Sequence, residues 1–263
     1  MPELPEVETV VRSIAPHVVG RTIVSATLSS PLVTRGGLEE TARAITGATV
    51  GAVRRRGKQI FFDLNCGVMY VHLGMTGKLL WDAGTGKHTR GLIQFKEGTL
   101  QYQDIRQFGR LEFFATLPNF LERSGPDALT IDFQTFYSGL RAHRGQIKPL
   151  LLNQAFLGGL GNIYVDELLF AARVHPKAAA GRISRKRAEL LHRKMQELLE
   201  LAIVHRGSSI SDYVDARGER GAFQALHRVY GKTGQSCPEC GSPIRRVVVA
   251  QRGTHYCPRC QRA

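Results

Sequence analysis

Apolar residues recur along this chain with two different periods, and the change between them divides it. Near the start, Val7, Val10, Val11 and Ile14 keep the i, i+3, i+4, i+7 spacing of a helix with one buried face. Pro5 suits its first turn, and Glu6 and Glu8 suit its positive end. From 21 to 115 the apolar runs shorten to strand length, at 22–28, 48–55, 59–64, 68–73, 92–95, 100–103 and 110–114. Short strands between glycine-rich turns predict a sandwich or barrel. Ser124-Gly125-Pro126-Asp127 has the turn chemistry of a domain boundary. Beyond it the helical period returns, over 133–143, 148–154, 162–172 and 184–205. Ser184 suits the cap of the last helix, and Leu190, Leu191, Met195, Leu198 and Leu199 form its stripe. Residues 215–221, rich in Gly and Arg, read as a mobile loop.

Composition adds a partner to this picture. The 263 residues are 43% hydrophobic, enough for a real core, and no apolar run approaches the roughly 20 residues of a membrane span. The acidic, proline-containing start does not resemble a secretory signal, so a soluble intracellular protein is expected. Lys and Arg number 36 against 22 Asp and Glu, for a formal charge of +14. A field of that sign calls for a polyanion. Nucleic acid leads, although charge alone does not separate DNA, RNA and acidic lipid.

Four of the five cysteines lie in the last 27 residues. Cys237 and Cys240 form one C-x2-C and Cys257 and Cys260 another, with 16 residues between. This is the spacing of a four-thiolate zinc site on a hairpin, and an intracellular setting disfavours the alternative of two disulfides. A closed four-sulfur site has no open position, so one structural zinc is expected to fold the segment rather than catalyse. Residues 241–263 carry Arg245, Arg246, Arg252, Arg259 and Arg262 and no acid, which suits phosphates. Cys66 stands alone in a strand-like run and is expected to be a small buried residue.

Two further features carry chemistry, each with a bland alternative. Met1-Pro2 permits removal of Met1, which leaves a secondary amine that is partly neutral at pH 7 and able to form an iminium with an aldehyde-like carbon. Glu3 follows as a nearby acid or base, yet many chains begin Met-Pro without catalytic purpose. Gly158-Gly159-Leu160-Gly161-Asn162 opens a helix and could cradle a phosphate, or be only a turn.

The run Pro2-Glu3-Leu4-Pro5-Glu6-Val7-Glu8-Thr9 resembles the start of the bacterial formamidopyrimidine-DNA glycosylase (8-oxoguanine DNA glycosylase) family. The similarity continues in order through Arg55-Arg56-Gly57-Lys58, His72-Leu73-Gly74-Met75-Thr76-Gly77, Lys87-His88-Thr89-Arg90 and Asp104-Ile105-Arg106-Gln107-Phe108-Gly109. Ile147-Lys148-Pro149, Gly159-Leu160-Gly161-Asn162-Ile163-Tyr164, Val229-Tyr230-Gly231 and Gln251-Arg252-Gly253-Thr254-His255-Tyr256 complete it.

This resemblance implies an α+β bacterial protein, cytoplasmic and nucleoid-associated. An N-terminal antiparallel β-sandwich with flanking helices spans 1–125, a helix-two-turn-helix domain 133–224 and a four-cysteine zinc hairpin 229–263. It implies excision of 8-oxoguanine and formamidopyrimidines from double-stranded DNA, then cleavage of the abasic site by β,δ-elimination through a Schiff base, with duplex DNA in a basic cleft. Pro2 is the implied nucleophile, Glu3 its proton-handling neighbour, Lys58 an aid to elimination and Arg252 the holder of the flanking phosphate. The run 54–58 supplies a positive field. His88, Arg106, Lys148 and Asn162 match DNA-contacting positions, and Met75, Arg106 and Phe108 the set that fills the space of an extruded base. Leu4 favours this purine branch over the pyrimidine-excising relatives, which usually carry Gly there. A non-catalytic zinc protein that only recognises damage is the rival of another class. Nothing requires more than a monomer.

Overall fold

The computed structural model describes residues 1–118, 124–210 and 212–262. The chain divides into two compact units, one of 1–123 with 203–224, the other of 124–202 with 225–263. This differs from the expected division at 1–125, 133–224 and 229–263. Residues 203–224 rejoin the first unit, and the zinc hairpin packs with the helices of the second.

In the first unit, α1 (Leu4–Val18) begins at Glu3, whose N–H donates to Glu6 Oε2 at 2.8 Å and so spares one orphan amide of the helix start. Val7, Val10, Val11 and Ile14 are buried as their spacing predicts. One antiparallel sheet runs β1 (Ile23–Leu28), β6 (Thr89–Phe95), β7 (Gly98–Gln103), β5 (Lys78–Trp81). A second runs β2 (Val50–Arg56), β3 (Gln59–Leu64), β4 (Gly67–His72), β8 (Arg110–Phe114). Ile23, Ile93 and Tyr102 of the first and Val50, Ile60, Phe62 and Val71 of the second share one core with α1, which makes the unit a sandwich. Two elements lie outside the predicted runs: β5, only four residues long, and α2 (Leu38–Ile45), which buries only Thr41 and Ile45. Cys66 is a correction. It is exposed, because Leu64 pairs with Gly67 and leaves 65 and 66 as the outward turn between β3 and β4.

The returning segment is held by a buried carboxylate, by the Trp81 N–H that donates to Ala216 O, and by Tyr213 and Ala216 in the core. Glu6 is 1% exposed, and its Oε1 accepts Ser208 N–H at 2.7 Å while Oε2 holds Glu3. Gly207, with φ +74°, passes so close that a Cβ there would lie 2.5 Å from Glu6 Oε1. The segment expected as a mobile loop is a laced turn: Asp215 Oδ1 accepts the N–H groups of Arg217 and Glu219, and Gly221 N–H donates to Ser209 Oγ at 2.9 Å.

The second unit holds α3 (Phe133–Ala142), α4 (Ile147–Leu152), α5 (Asn162–Ala171) and most of α6 (Arg185–Val204), followed by the hairpin β9 (Arg245–Val249) and β10 (Arg252–Tyr256). Asp132 caps α3 by accepting Thr135 N–H, and Ser184 caps α6 through Arg187 N–H. α5 is buried around most of its circumference, charged residues included. Its Glu167 accepts the N–H groups of Arg228, Val229 and Tyr230 at 2.9, 2.9 and 2.7 Å, and burial pushes this carboxyl above its ordinary range. Phe170 of α5 packs with Val229, Ile244, Cys237 and Cys257, so the cysteine segment is built onto the helix.

The hairpin turn is Ala250-Gln251, with Arg252 opposite Val249. Both turn residues have positive φ, +46° and +59°, the geometry that normally selects Asn-Gly. Left-handed backbone at a residue with a Cβ costs on the order of 1 kcal/mol. Gln251→Gly is therefore expected to slow amide exchange across β9–β10 by roughly fivefold, the factor that 1 kcal/mol represents. Unchanged exchange would show that the turn stores no strain.

Candidate active site and metal centre

Pro2 and Glu3 stand at the start of α1, both buried, while Met1 is half-exposed. The position gives any negative charge formed there the positive end of the helix. Lys58 lies in the tight turn between β2 and β3, behind Gly57 with φ +57°, and is 8% exposed. Arg55 sets that turn. Its Nε donates to Glu8 Oε2 at 2.8 Å and its Nη1 to Gly57 O at 3.0 Å, linking α1 to the backbone beside Lys58. Arg12 also pairs with Glu8, and the two guanidiniums overcome burial to hold that carboxyl below its ordinary range. Arg54 pairs with Asp63 and lies over the Phe61 ring. The run 54–58 is thus not a uniform positive field, since two of its arginines are matched by carboxylates from neighbouring elements.

His72 is a buried neighbour of Lys58 that the sequence pattern did not single out. β3 and β4 pair Gln59 with His72, which brings it beside Lys58. Burial, then the charges of Lys58 and Arg110, push its imidazole down to about 4, and Gly74 N–H donates to its Nδ1. A neutral imidazole is therefore part of the fold.

Met75, Arg106 and Phe108 come together on two adjacent loops. Arg106 Nη1 reaches Met75 Sδ at 3.2 Å, and its guanidinium lies 4.6 Å from the centroid of the Phe108 ring. Met75 and Phe108 are 41% and 55% exposed, unusual for side chains of their size and a mark of a contact surface rather than core. His88 is half-buried on the segment before β6, and its Nδ1 has no partner among the described residues.

In the second unit the structure corrects one reading. Lys148 is fully buried and has no surface to offer DNA. Its Nζ meets Asp166 Oδ1 at 2.5 Å and Gly253 O at 3.4 Å. Asp166 Oδ2 in turn accepts His255 N–H at 2.8 Å, with His255 Nδ1 at 3.1 Å. A buried ammonium demands such a partner, and here it joins α4, α5 and β10. Asn162, the first residue of α5, donates from Nδ2 to the same Gly253 carbonyl at 2.9 Å, and its Oδ1 lacks a partner among the described residues. The peptide next to Arg252 is thus gripped from two helices, while Arg252 itself is exposed.

The four cysteine sulfurs lie within 4.8 Å of one another. Cys237 and Cys260 are 3.9 Å apart and Cys240 and Cys257 3.5 Å, far from the roughly 2 Å of a disulfide but close to the roughly 3.8 Å edge of a tetrahedron with zinc–sulfur bonds near 2.3 Å. Four thiolates at these separations repel one another unless a cation lies between them. The donor set fits one structural zinc.

Known proteins resemble this chain from end to end. Residues 1–111 match the formamidopyrimidine-DNA glycosylase N-terminal domain, 124–214 its H2TH domain, and 234–263 the zinc finger found in FPG and IleRS. The formamidopyrimidine-DNA glycosylase of Solibacter usitatus is 48% identical over 264 residues, covering all of both chains. The chain belongs to the formamidopyrimidine-DNA glycosylase family. The enzyme of that name from Carboxydothermus hydrogenoformans is 40% identical, again over both whole chains. Among solved structures, a Lactococcus lactis FPG mutant in complex with Fapy-dG-containing DNA superimposes with a TM-score of 0.92 at 40% identity, covering 100% of both chains. Lactococcus lactis Fpg with abasic-site DNA does so at 0.92 and 39%, over 99% and 100%.

Two outcomes follow for this family member. His72 is held neutral by folding and has its ordinary pKa near 6.5 when unfolded, so its contribution is intact above pH 6.5 and is lost as pH falls toward 4. Urea unfolding should show a loss of about 2 kcal/mol from this group between pH 7 and pH 5, absent in His72→Gln. Equal pH dependence in both proteins would exclude the assignment. Cys240→Ser should release zinc and disorder the hairpin, whereas Arg252→Ala should retain a full zinc content by metal analysis. Zinc loss from the arginine variant would show that its role is structural.

Proposed function

We propose that this chain is a bifunctional DNA N-glycosylase and abasic-site lyase of base-excision repair, which removes oxidised purines from duplex DNA and cuts the backbone through a Pro2 Schiff base. The observation that carries the reading is the pairing of a Pro2-Glu3 start on α1 with the joined Met75, Arg106 and Phe108 surface, in a family whose Lactococcus lactis structures contain Fapy-dG or abasic-site DNA. No helix among the described residues is long and apolar enough to cross a membrane. The excess of 14 positive charges suits a protein working on nucleoid DNA.

A base stacked in a duplex presents its glycosidic bond to no side chain, so the lesion must leave the helix. Met75 and Phe108 enter the vacated space, and Arg106 hydrogen-bonds the orphaned cytosine. With Met1 removed, the Pro2 secondary amine attacks C1′. The base departs with the glycosidic electron pair and is protonated, the sugar ring opens, and nitrogen shares its lone pair with C1′ as an iminium. Glu3 supplies and takes up the sugar's protons. The iminium acidifies C2′–H, whose loss expels the 3′ phosphate, and a second proton loss expels the 5′ phosphate. Lys58 assists elimination, Arg252 holds the flanking phosphate, and His88 and Asn162 contact the backbone. The zinc serves this chemistry by holding the hairpin that carries Arg252.

Incubation of Met1-processed protein with an 8-oxoguanine duplex and borohydride should leave a stable protein–DNA adduct. Pro2→Gly should lose strand cutting yet still bind lesion DNA. An absent adduct rejects the mechanism, and faster release of thymine glycol than of 8-oxoguanine assigns the chain to pyrimidine lesions.

A further inference from the structure

We infer that Asp104 and Thr76 form a buried latch that presets Met75, Arg106 and Phe108, and that this latch determines which base opposite the lesion is accepted. The inference rests on the proposed role of those three side chains and adds two positioning residues that touch neither substrate nor reacting atoms.

Asp104 is completely buried although it begins a loop whose next members, Ile105, Arg106 and Phe108, are exposed. Each carboxylate oxygen has its own donor. Oδ1 accepts Thr76 Oγ1–H at 2.5 Å, and Oδ2 accepts Gly109 N–H at 2.9 Å. The Thr76 hydroxyl has one proton, which goes to the carboxylate, so its lone pair faces the Arg106 N–H that donates to it at 3.0 Å. The direction of every bond is thereby set by the charge. One carboxylate closes the 104–109 loop onto itself and onto the loop that carries Met75. Its backbone extends the same node to the neighbouring segment: Asp104 N–H donates to His88 O at 3.0 Å, and Arg90 Nε donates to Asp104 O at 3.1 Å.

The loops have no slack where they meet. A Cβ on Gly109 would stand 1.7 Å from the Tyr102 hydroxyl and 2.6 Å from His72 O, and one on Gly74 would stand 2.7 Å from Gly109 N. Between Arg106 and Phe108, Gln107 has φ +55°, a conformation that a residue with a Cβ holds only when its surroundings impose it. Ser30 Oγ–H, donating to Gln107 Oε1 at 2.6 Å, imposes it here together with the Arg106 N–H bond to Thr76 on one side and the Gly109 N–H bond to Asp104 on the other.

This rigidity matters for specificity. A guanidinium on a loose loop finds acceptors on any base, whereas one held in place matches a single acceptor pattern. A carboxylate is needed because both its oxygens accept. An amide in its place would turn an N–H toward either the Thr76 hydroxyl or the Gly109 N–H.

The experiment compares single-turnover excision of 8-oxoguanine opposite cytosine and opposite adenine. Thr76→Val keeps the shape and removes the hydroxyl, and should lower the cytosine-over-adenine ratio by roughly tenfold, within the range that one bidentate base contact provides. Thr76→Ser restores the hydroxyl and should keep the wild-type ratio. Asp104→Asn should behave as Thr76→Val does. Arg106→Ala is the control. If its ratio falls while that of Thr76→Val does not, the latch is overturned and the role of Arg106 stands. If the ratio survives Arg106→Ala, the proposed role of the three side chains fails, and the latch with it. Failure of both Thr76→Val and Asp104→Asn to fold, beside a well-folded Thr76→Ser, would assign the latch to folding and overturn its role in specificity.

Discussion

A carboxylate shut away from water must find hydrogen-bond donors, and this constraint organises the functional segments of the protein. Four such groups, Glu6, Asp104, Asp166 and Glu167, are each no more than 3% exposed. Their donors are largely backbone N–H groups, from irregular segments for Glu6 (Ser208), Asp104 (Gly109) and Glu167 (228–230), and from the hairpin strand β10 for Asp166 (His255). Loops have no ladder of their own to satisfy their amides or fix their position. A buried acid does both, because leaving either partner unpaired costs several times what the bond itself contributes.

The distribution of charge follows from the same point. The +14 excess suits a polyanionic partner, but several of the cations are structural. Lys148 neutralises Asp166, Arg55 neutralises Glu8, and Arg54 neutralises Asp63. The side chains that remain exposed for a partner, Arg106 and Arg252 among them, are positioned through the backbone beside them rather than by a carboxylate on their guanidinium. Such an arrangement leaves a guanidinium available for a ligand and still limits where it can be.

Much of the fold was legible because it is written locally. The stripe of Val7, Val10, Val11 and Ile14 identifies α1 without reference to anything distant, and the strand-length apolar runs mark seven of the eight strands of the two four-stranded sheets, β5 excepted. The two C-x2-C pairs announced a metal site, and the folded sulfurs lie at the matching separations. The less legible parts depend on partners far along the chain. Nothing near Lys148 says that Asp166 will bury it, and nothing near Cys66 says that Leu64 and Gly67 will pair around it. The assignment of 203–224 to the first unit depends on Glu6, Ser13 and Trp81, all more than a hundred residues earlier.

The sequence by itself determined the periods, the caps, the metal spacing, the net charge and the family resemblance, since each is a property of residue types at fixed short intervals. Only the tertiary structure decided which charges are spent internally, which apolar side chains stay exposed as a contact surface, and which loops are held rigid. Those outcomes depend on desolvation, and whether a group loses its water is settled by what packs over it rather than by its neighbours in the chain.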